Sequence, residues 1–502
     1  MKKINLKTVH ILIIVLGILF ILIPNFHTNL WFDESYSVAI SNNHSFGEIW
    51  DIGGHDVHPV LYYWMLKIIS LIFGNNILCY RLLSVIALAI LGILGYTHIR
   101  KDFGEKTGAL FSLFTFIFPL NIVYSGEIRM YTWAMLFVTI MGIYAYRIFK
   151  GKSTIKNWII FGIFSLASAY THYYGLMTAG IINILLFIWT LKNAIKQKQF
   201  TKDLKIFIVQ AIIQIILYLP WVLSLLLQVS QVSKGFWVGV KFPDTLIELF
   251  TFQFTGNLLS SIHISNWIAG IYGIIFCIYM VYIIFKNKKS ENKISLKPAK
   301  YAIITYFLVI LGAIAVSIII WRPIIYARYL LVITGLLIFA ITYTMSKVGN
   351  KKLNICIIIL TVIISTYLNI NLSQINYDKI NQEPINYIKE NMQEGDIIIY
   401  KNDGTGFVLS ANLPQYTQYF YDKQNWRVEE AYKAFGPNMT YVYDLEFLKD
   451  YEGRIWIIDM GNYDLFEQAK QEYEEINLIK QANFDTKYQT YKYNVSLVEK
   501  NS

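Results

Sequence analysis

Long apolar runs dominate the first three quarters of the chain and are separated by short polar loops. Twelve of these runs approach the roughly 20 residues that a helix needs to cross a bilayer. Apolar runs of this length predict membrane-spanning helices. We therefore expect a polytopic α-helical membrane protein with candidate spans at 8–24, 59–74, 77–99, 107–124, 128–149, 157–171, 174–191, 206–227, 262–285, 301–321, 328–346 and 353–371.

The pattern changes after Asn371. From Gln374 onward the chain is polar, charged and rich in tyrosine, and strand-like runs alternate with helical segments, which predicts a small α/β domain. We expect a multi-span membrane domain over 1–372 and a soluble α/β domain over 373–502. The strand-like runs are 396–400, 440–444, 454–460 and 491–498, the helical segments are 381–392 and 465–475, and the NDGTGF segment 402–407 is a turn by composition.

Lysine and arginine lie mainly in short loops between apolar runs, which is typical of cytoplasmic loops. With 55% apolar residues and a mean hydropathy of +0.43, the net charge of +11 therefore reflects topology and not nucleic-acid binding. The loop 25–58 and the C-terminal domain are expected outside the cytoplasm. The N-terminal lysines and the later basic loops are both expected in the cytoplasm, but counting twelve crossings between them does not allow this. One segment before residue 150 should therefore not cross fully.

Several function classes are excluded by missing motifs. The sequence contains neither a dinucleotide-binding glycine fingerprint nor a P-loop. Its three cysteines lie within apolar runs without metal-ligand spacing, so disulfides and zinc knuckles are not expected.

The polar loop 25–58 concentrates acidic groups and imidazoles between two apolar spans, where such groups are costly. We interpret it as the catalytic loop. Asp33 and Glu34 follow the aromatic pair Trp31-Phe32, whose low-dielectric wall suits a carboxylate to accept a proton from a hydroxyl. One of the two can face the reacting centre while the other orients a partner. The alternative is an interfacial acidic cap without chemistry.

The far edge of this loop holds a second candidate group. Asp56 and His58 are two residues apart, so on an extended segment they share one face, which suits a divalent metal or a hydrogen-bonded pair. His55 adds a third candidate ligand. The alternative is a helix that begins at Pro59 and is capped by these polar residues.

Further polar residues lie at the mouths of later spans. In YSGEIRMYTWAML, helical spacing puts Tyr124, Glu127 and Tyr131 on one face and Arg129 on the other. A structural ion pair is the alternative for Glu127 and Arg129.

Two more positions complete the candidate set. His172 and Tyr173 lie in a tight tyrosine-rich turn, where an aromatic belt at the membrane surface is the alternative to ligand binding. Arg328 offers a guanidinium fork that can grip a phosphate, with snorkelling to the surface as the alternative.

These segments together resemble one family. WFDES, DVHPVLYYWML, YRLLSVIALAILG, YSGEIRMYTWAML, YTHYYGL and ARYLLVITGLL, in this order over about residues 1–345, look like the membrane glycosyltransferases of family 39. That family includes the dolichyl-phosphate-mannose protein mannosyltransferases and the bacterial aminoarabinose lipid A transferase. The resemblance implies a GT-C fold with a small extracytoplasmic α/β domain.

The resemblance also implies an activity. It predicts inverting transfer of a sugar from a polyprenyl-phosphate donor, undecaprenyl or dolichyl, to a protein, lipid or cell-envelope glycan on the outer face of the plasma membrane. Asp33 would be the base, with Glu34 beside it, and Arg328 would hold the phosphate. The further substrate-binding candidates are Asp56, His58, Glu127, Arg129, Tyr131, His172 and Tyr173, of which Asp56, His58 and His172 are also candidate ligands of a divalent metal.

A transporter or flippase of a lipid-linked glycan is the alternative from another class. Such a protein should place ionisable groups at the centres of its spans to line a path through the bilayer. In this sequence they concentrate at one membrane face, which favours the enzyme.

Overall fold

The structure is a computed structural model that describes residues 5–235, 238–255, 263–422 and 429–500. The chain forms two compact units. Unit 1 comprises residues 1–24, 57–62 and 82–372, and unit 2 comprises residues 25–56, 63–81 and 373–502. Most of the predicted catalytic loop thus groups with the C-terminal residues, whereas the predicted domain division assigned it to the membrane domain.

Membrane-spanning helices build most of unit 1. Within the described ranges, nine helices are long and apolar enough to cross a bilayer: Leu6–Asn25, Ile77–Phe103, Tyr131–Phe149, Tyr173–Gln197, Lys202–Lys234, Gly270–Lys289, Lys297–Ile319, Ala327–Val348 and Lys351–Asn376. Only 17% of the most apolar stretch of Lys202–Lys234 is buried, and Leu223 is 78% exposed. Apolar surface of this extent requires lipid around it, so the chain is a multi-pass membrane protein.

Three of the twelve predicted spans are shorter helices. Leu61–Phe73 and Glu105–Ile117 have 13 residues each and Ile155–Thr171 has 17, so they are shorter than the nine helices named above. The predicted span 107–124 is interrupted because Phe118 is extended before Pro119, as the residue before a proline usually is. The remaining helices of unit 1 include Pro119–Val123 and Asp244–Thr255, and His263–Lys289 contains the span that ends at Lys289.

The N-terminal part of unit 2 contains two short helices, Phe32–Asn43 and Phe46–Gly53. The second begins with a capping box, in which Ser45 and Glu48 bond each other's backbone N–H groups. These helices carry four of the five acidic residues of the predicted catalytic loop, and the fifth, Asp56, follows the second helix.

The C-terminal part of unit 2 is built on a six-stranded sheet. Strands β1, β2, β3 and β4 are parallel neighbours in the order β3-β2-β1-β4, and β6 and β5 follow in antiparallel pairing. Their bounds are β1 Ile397–Tyr400, β2 Thr417–Tyr421, β3 Met439–Val442, β4 Gly453–Met460, β5 Ile476–Asp485 and β6 Lys492–Lys500. The accompanying helices are Glu383–Asn391, Asp403–Asn412, Glu429–Tyr432 and Asp464–Glu472. The predicted class, a polytopic helical membrane protein with a small α/β domain, is confirmed.

One local prediction is wrong. The NDGTGF segment is not a turn, because Asp403 begins a ten-residue helix. The Asn402 side chain caps this helix by accepting the backbone N–H groups of Gly404 and Thr405 at 2.9 and 3.3 Å. Asparagine favours turns and helix N-caps for the same reason, its short side chain bonding to nearby backbone.

Candidate active site

The first turn of helix Phe32–Asn43 carries the two predicted catalytic carboxylates. Glu34 is fully buried, and the Arg81 guanidinium donates two hydrogen bonds to it, from Nη1 to Oε1 at 2.8 Å and from Nη2 to Oε2 at 3.3 Å. The Tyr488 hydroxyl donates a third to Oε2 at 2.9 Å. A buried carboxylate needs this forked pairing, and it holds Glu34 in one orientation.

Arg81 also binds the backbone around this carboxylate. Its Nη2 donates to the carbonyl of Asn29 at 2.7 Å and its Nε to the carbonyl of His27 at 3.3 Å. Sequence reasoning missed Arg81 and Tyr488 as site residues. The available signal was the cost of an arginine inside the apolar run 77–99, which requires a partner.

Asp33 precedes Glu34 on the same turn and is partly exposed. Its other neighbour, Phe32, donates its backbone N–H to the Tyr491 hydroxyl at 3.2 Å. Burial raises the pKa of the Asp403 carboxyl above its ordinary range, and the charge of Asp33 acts in the same direction. Unit 2 therefore brings Asp33 near a second carboxylate, one that sequence reasoning did not identify.

The residues at the far edge of the loop have local partners in unit 2. The Tyr63 hydroxyl donates to Asp56 Oδ2 at 2.8 Å. His55 Nδ1 donates to the carbonyl oxygen of Asp51 at 2.9 Å.

Four ring side chains of unit 1 lie together at one end of its helices, and three of them are predicted site residues. The ring of His172 lies 5.4 Å from His58, 5.6 Å from Tyr131 and 5.1 Å from Tyr329, measured between centroids. Both histidines are buried, with 5% of His58 and 2% of His172 exposed. Three of the predicted substrate-binding candidates, His58, Tyr131 and His172, thus lie together, and Tyr329 is an addition.

The hydrogen bonds of His172 fix the tautomer of its neutral ring. Nδ1 accepts the backbone N–H of Tyr174 at 3.1 Å, so the ring proton is on Nε2. Nε2 is buried and has no hydrogen-bond partner among the residues that the structure describes. Burial, with a smaller contribution from the charge of Arg129, lowers the pKa of His172 to about 3. The ring is therefore a neutral donor at physiological pH.

His58 is also buried and has a lowered pKa. Burial lowers its pKa well below the ordinary value, and the positive charges of Arg129 and Arg328 act in the same direction. Its Nδ1 is likewise buried without a partner within the described ranges.

Both histidines line a cavity of about 330 Å³, which we call the histidine cavity. Its other walls come mainly from apolar side chains, namely Val57, Leu176, Met177, Leu225, Val229, Val232, Val316, Ile320 and Ile324, with Tyr173, Tyr174, Gln228 and Tyr329. The Tyr173 hydroxyl donates to Gln228 and accepts from the Trp221 indole at 3.2 Å. The cavity thus offers apolar walls with a few polar groups.

Charged residues surround the same ring cluster. Arg328 Nη1 lies 4.0 Å from Glu127 Oε1, and their side chains are 17% and 11% exposed. Arg129 is buried at 4% exposure, and its charge acts on both histidines. Ser84 Oγ donates to the Glu127 carbonyl at 2.6 Å.

The predicted helical face of Tyr124, Glu127 and Tyr131 is wrong. Residues 124–130 form turns and bends between Pro119–Val123 and the helix that begins at Tyr131. The Ser125 hydroxyl donates to the Ile122 carbonyl at 2.8 Å, and such local side-chain bonding competes with helix. Arg129 was predicted on the opposite helical face, but its charge lowers the pKa values of both His58 and His172, so it lies near them.

The proposed metal ligands give a limited donor set. No group of three His, Cys, Asp or Glu side chains able to hold a metal ion occurs in the part of the chain that the structure describes. His58 and His172 alone provide two imidazoles, whereas a protein metal site usually supplies at least three ligands. A divalent metal at Asp56, His58 and His172 stays a prediction.

The fold of this membrane protein is of the GT-C type. The crystal structure of ArnT from Cupriavidus metallidurans in the apo state matches it with a TM-score of 0.52 at 12% sequence identity, over 97% of both chains. This likeness shows the fold.

The family resemblance seen in the sequence is confirmed within that fold. Residues 57–232 match the family model described as dolichyl-phosphate-mannose-protein mannosyltransferase. The chain thus resembles the family 39 membrane glycosyltransferases. The matched segment contains six of the predicted site residues, His58, Glu127, Arg129, Tyr131, His172 and Tyr173.

Two further solved structures are similar at lower scores. ArnT from the same organism bound to undecaprenyl phosphate has a TM-score of 0.47 at 12% identity over 97% of both chains. The oligosaccharyltransferase AglB from Archaeoglobus fulgidus, in complex with an inhibitory peptide and a dolichol-phosphate, has a TM-score of 0.44 at 12% identity, over 89% of this chain and 69% of that chain. No match was found among curated protein sequences.

Proposed function

We propose that the chain transfers a sugar from a polyprenyl-phosphate donor to an acceptor hydroxyl on the outer face of the plasma membrane. The observation that carries this proposal is the histidine cavity, in which apolar walls meet buried neutral imidazoles beside two arginines. A lipid-linked sugar has the matching parts, an apolar chain, a phosphate and sugar hydroxyls. The family model, over residues 57–232, covers His58, His172 and Arg129 but not Arg328, and its description names dolichyl-phosphate-mannose.

His172 in the cavity and the two arginines near it suit different parts of such a donor. The Nε2–H of His172 can donate to a phosphate or sugar oxygen without the desolvation cost of a charge. Arg328 and Arg129 supply fixed positive charge near the ring cluster, since a guanidinium remains protonated at any physiological pH. In this proposal they neutralise the phosphate as it departs.

Asp33 is the proposed base. It takes the proton of the acceptor hydroxyl while the oxygen forms a bond to the anomeric carbon of the sugar, and the bond from that carbon to the phosphate oxygen breaks. The leaving polyprenyl phosphate keeps the electron pair, and attack from the opposite side inverts the anomeric centre. The partly exposed position of Asp33 on the first turn of its helix supports access to an acceptor.

Glu34 and Asp56 have positioning roles in this proposal. The ion pair of Glu34 with Arg81 fixes the turn that carries Asp33, since Glu34 is the next residue. Asp56, bonded to Tyr63, orients the end of the loop next to His58. The outer location of unit 2 rests on the basic loops that the positive-inside rule assigns to the cytoplasm.

The test measures transfer of radiolabelled sugar from a panel of polyprenyl-phosphate sugars in membranes that contain the wild-type chain or a variant. We expect Asp33→Asn to abolish transfer while expression and insertion stay normal. Asp51→Asn is the matched control, because Asp51 is an exposed carboxylate of the same loop. A parallel reaction with a chelator tests the predicted metal.

Two outcomes contradict the proposal. Wild-type turnover by Asp33→Asn would remove the base from the mechanism. If no donor reacts and lipid-linked glycan instead crosses vesicles only when the protein is present, the flippase alternative replaces the enzyme.

A further inference from the structure

A second cavity lies in unit 1 at the other end of the same helices. It has a volume of about 270 Å³ and is lined by the C-terminal halves of Tyr131–Phe149 and Tyr173–Gln197 and the N-terminal part of Lys297–Ile319. The histidine cavity uses the opposite ends of the last two helices. Tyr173 and Lys192, one from each cavity, are separated by about 28 Å of helix at 1.5 Å per residue.

The walls of this second cavity are apolar and aromatic. Phe149 lies with its ring centroid 5.2 Å from that of Trp189 and 5.4 Å from that of Tyr301, and all three line the cavity. Tyr301 is 40% exposed and Ile188 is 42% exposed, so the lining extends to the membrane-facing surface of the unit. A dry cavity of about 150 Å³ already accepts benzene, so this one has room for several methylene groups of a lipid chain.

Two lysines at the rim of this cavity have no carboxylate partner among the residues that the structure describes. Lys192 is a lining residue, and Lys150 Nζ lies 5.9 Å from the ring centroid of Tyr146, which also lines the cavity. Neither lysine forms an ion pair with any residue that the structure describes. The carboxylate of Asp102 is already shared by Arg147 at 2.6 Å and Lys152 at 3.2 Å.

Two more lysines adjoin this rim. Lys297 precedes the lining residue Pro298, and Lys300 precedes the lining residue Tyr301. This apolar cavity reaches the lipid-facing surface beside lysines that form no ion pair within the described ranges. It is complementary to a lipid with an apolar chain and an anionic head group.

We propose that the lysine-rimmed cavity binds one acyl chain of an anionic phospholipid whose phosphate-bearing head group contacts Lys150 and Lys192. This site is separate from the histidine cavity and does not depend on the proposed glycosyl transfer. The basic end of the helices, which the sequence assigns to the cytoplasm, identifies the leaflet that supplies the lipid.

The test is native mass spectrometry of the full-length protein titrated with phosphatidylglycerol or phosphatidylcholine of identical acyl chains. A lysine near an anionic head group contributes about 1 kcal/mol, or roughly fivefold in affinity. The double variant Lys150→Gln/Lys192→Gln should therefore reduce the preference for phosphatidylglycerol about 25-fold. The matched control is Lys288→Gln/Lys351→Gln, which removes two lysines from the same end of the membrane helices outside this lining.

A second variant tests the chain-binding part. Ala302→Phe adds a ring at a buried lining position and should abolish retention of both lipids. Tryptophan fluorescence on heating checks that this variant is folded, and the lysine variants decide the proposal if it is not. Equal binding of the two lipids by wild type, or equal losses in the lysine variant and its control, would overturn the proposal. So would displacement of phosphatidylglycerol by equimolar polyprenyl phosphate.

Discussion

Acidification should destabilise unit 1 through its two buried histidines. The pKa of His172 is lowered from 6.5 to about 3, and that of His58 is well below its ordinary value, both primarily by burial. In the unfolded chain these rings take up protons near pH 6.5, whereas in the folded chain they do not. The stability they contribute is thus fully present above pH 6.5 and is lost as the pH falls toward the folded pKa.

The size of this loss in stability depends, at pH values well above the folded pKa, only on protonation of the unfolded chain. At pH 5 an unfolded histidine with a pKa of 6.5 gains about 2 kcal/mol from protonation, while the folded ring of His172 stays neutral. His172 should therefore lower the free energy of unfolding by about 2 kcal/mol between pH 8 and pH 5, and His58 should lower it further because its pKa is depressed in the same direction. That loss is a large fraction of ordinary domain stability.

The assay is unfolding by a denaturing detergent, followed by tryptophan fluorescence at pH 8 and pH 5. The His172→Gln variant should lose about 2 kcal/mol less than wild type between the two pH values, and the loss in His58→Gln/His172→Gln should be smaller still. His27, whose pKa is lowered to about 2 mainly by burial, contributes equally in all three proteins and cancels. An identical loss in wild type and the double variant would refute the reasoning.

Three further predictions concern single side chains. Glu127→Gln should reduce transfer less than Asp33→Asn, because Glu127 contacts Arg328 at 4.0 Å and is proposed only to bind substrate. Arg81→Met should cost about 3–5 kcal/mol of stability because it leaves Glu34 buried without its partner, and adding Glu34→Gln should recover part of the loss in the same unfolding assay. His172→Phe should raise the KM for donor several-fold, the value of one neutral hydrogen bond at about 1 kcal/mol, whereas His172→Gln keeps an N–H donor and should raise it less.

Each of these has a contradicting result. Equal losses of transfer for Glu127→Gln and Asp33→Asn would mean that their roles are misassigned. A double variant no more stable than Arg81→Met would show that the unpaired carboxylate is not the cause. Equal KM values for the two His172 variants would show that the His172 N–H does not contribute a hydrogen bond to donor binding.

The spans were predictable because apolar length is a local property of the sequence. Every predicted span contains a helix in the described residues, and the uncertain count before residue 150 has a visible origin. The predicted spans 59–74 and 107–124 contain helices of 13 residues, shorter than a regular span of roughly 20 residues. Hydropathy reports that a segment is apolar and does not report whether protein or lipid surrounds it.

The C-terminal sheet was predicted only where strands are apolar. Strands β1, β3, β4 and β6 coincide with predicted runs, whereas β2 and β5 were missed. Most residues of β5 are exposed and it lies at the edge of the sheet, paired only with β6, so its sequence INLIKQANFD lacks a buried face to detect. Such a strand is specified by its partner and not by its own pattern.

Among the candidate site residues, those with a local signal were predicted and those defined by distant contacts were missed. Asp33, His58 and His172 could be chosen by chemistry and local position, but the partners of Glu34 lie 47 residues away at Arg81 and 454 residues away at Tyr488. No spacing rule connects residues at such separations. Their association is a product of tertiary folding, which is why sequence reasoning did not identify either partner.

In the proposed function, neutral imidazoles provide hydrogen bonds to a phosphate-linked donor and arginines provide positive charge. Burial keeps His172 and His58 uncharged, so they can donate or accept hydrogen bonds inside an apolar cavity without the desolvation cost of an ion. Positive charge is then carried by Arg129 and Arg328, whose protonation does not change at physiological pH. Titration of the histidines therefore cannot shape the pH dependence of transfer between pH 6 and pH 8. A change in that profile on His172→Gln would assign charge to the ring and contradict this division.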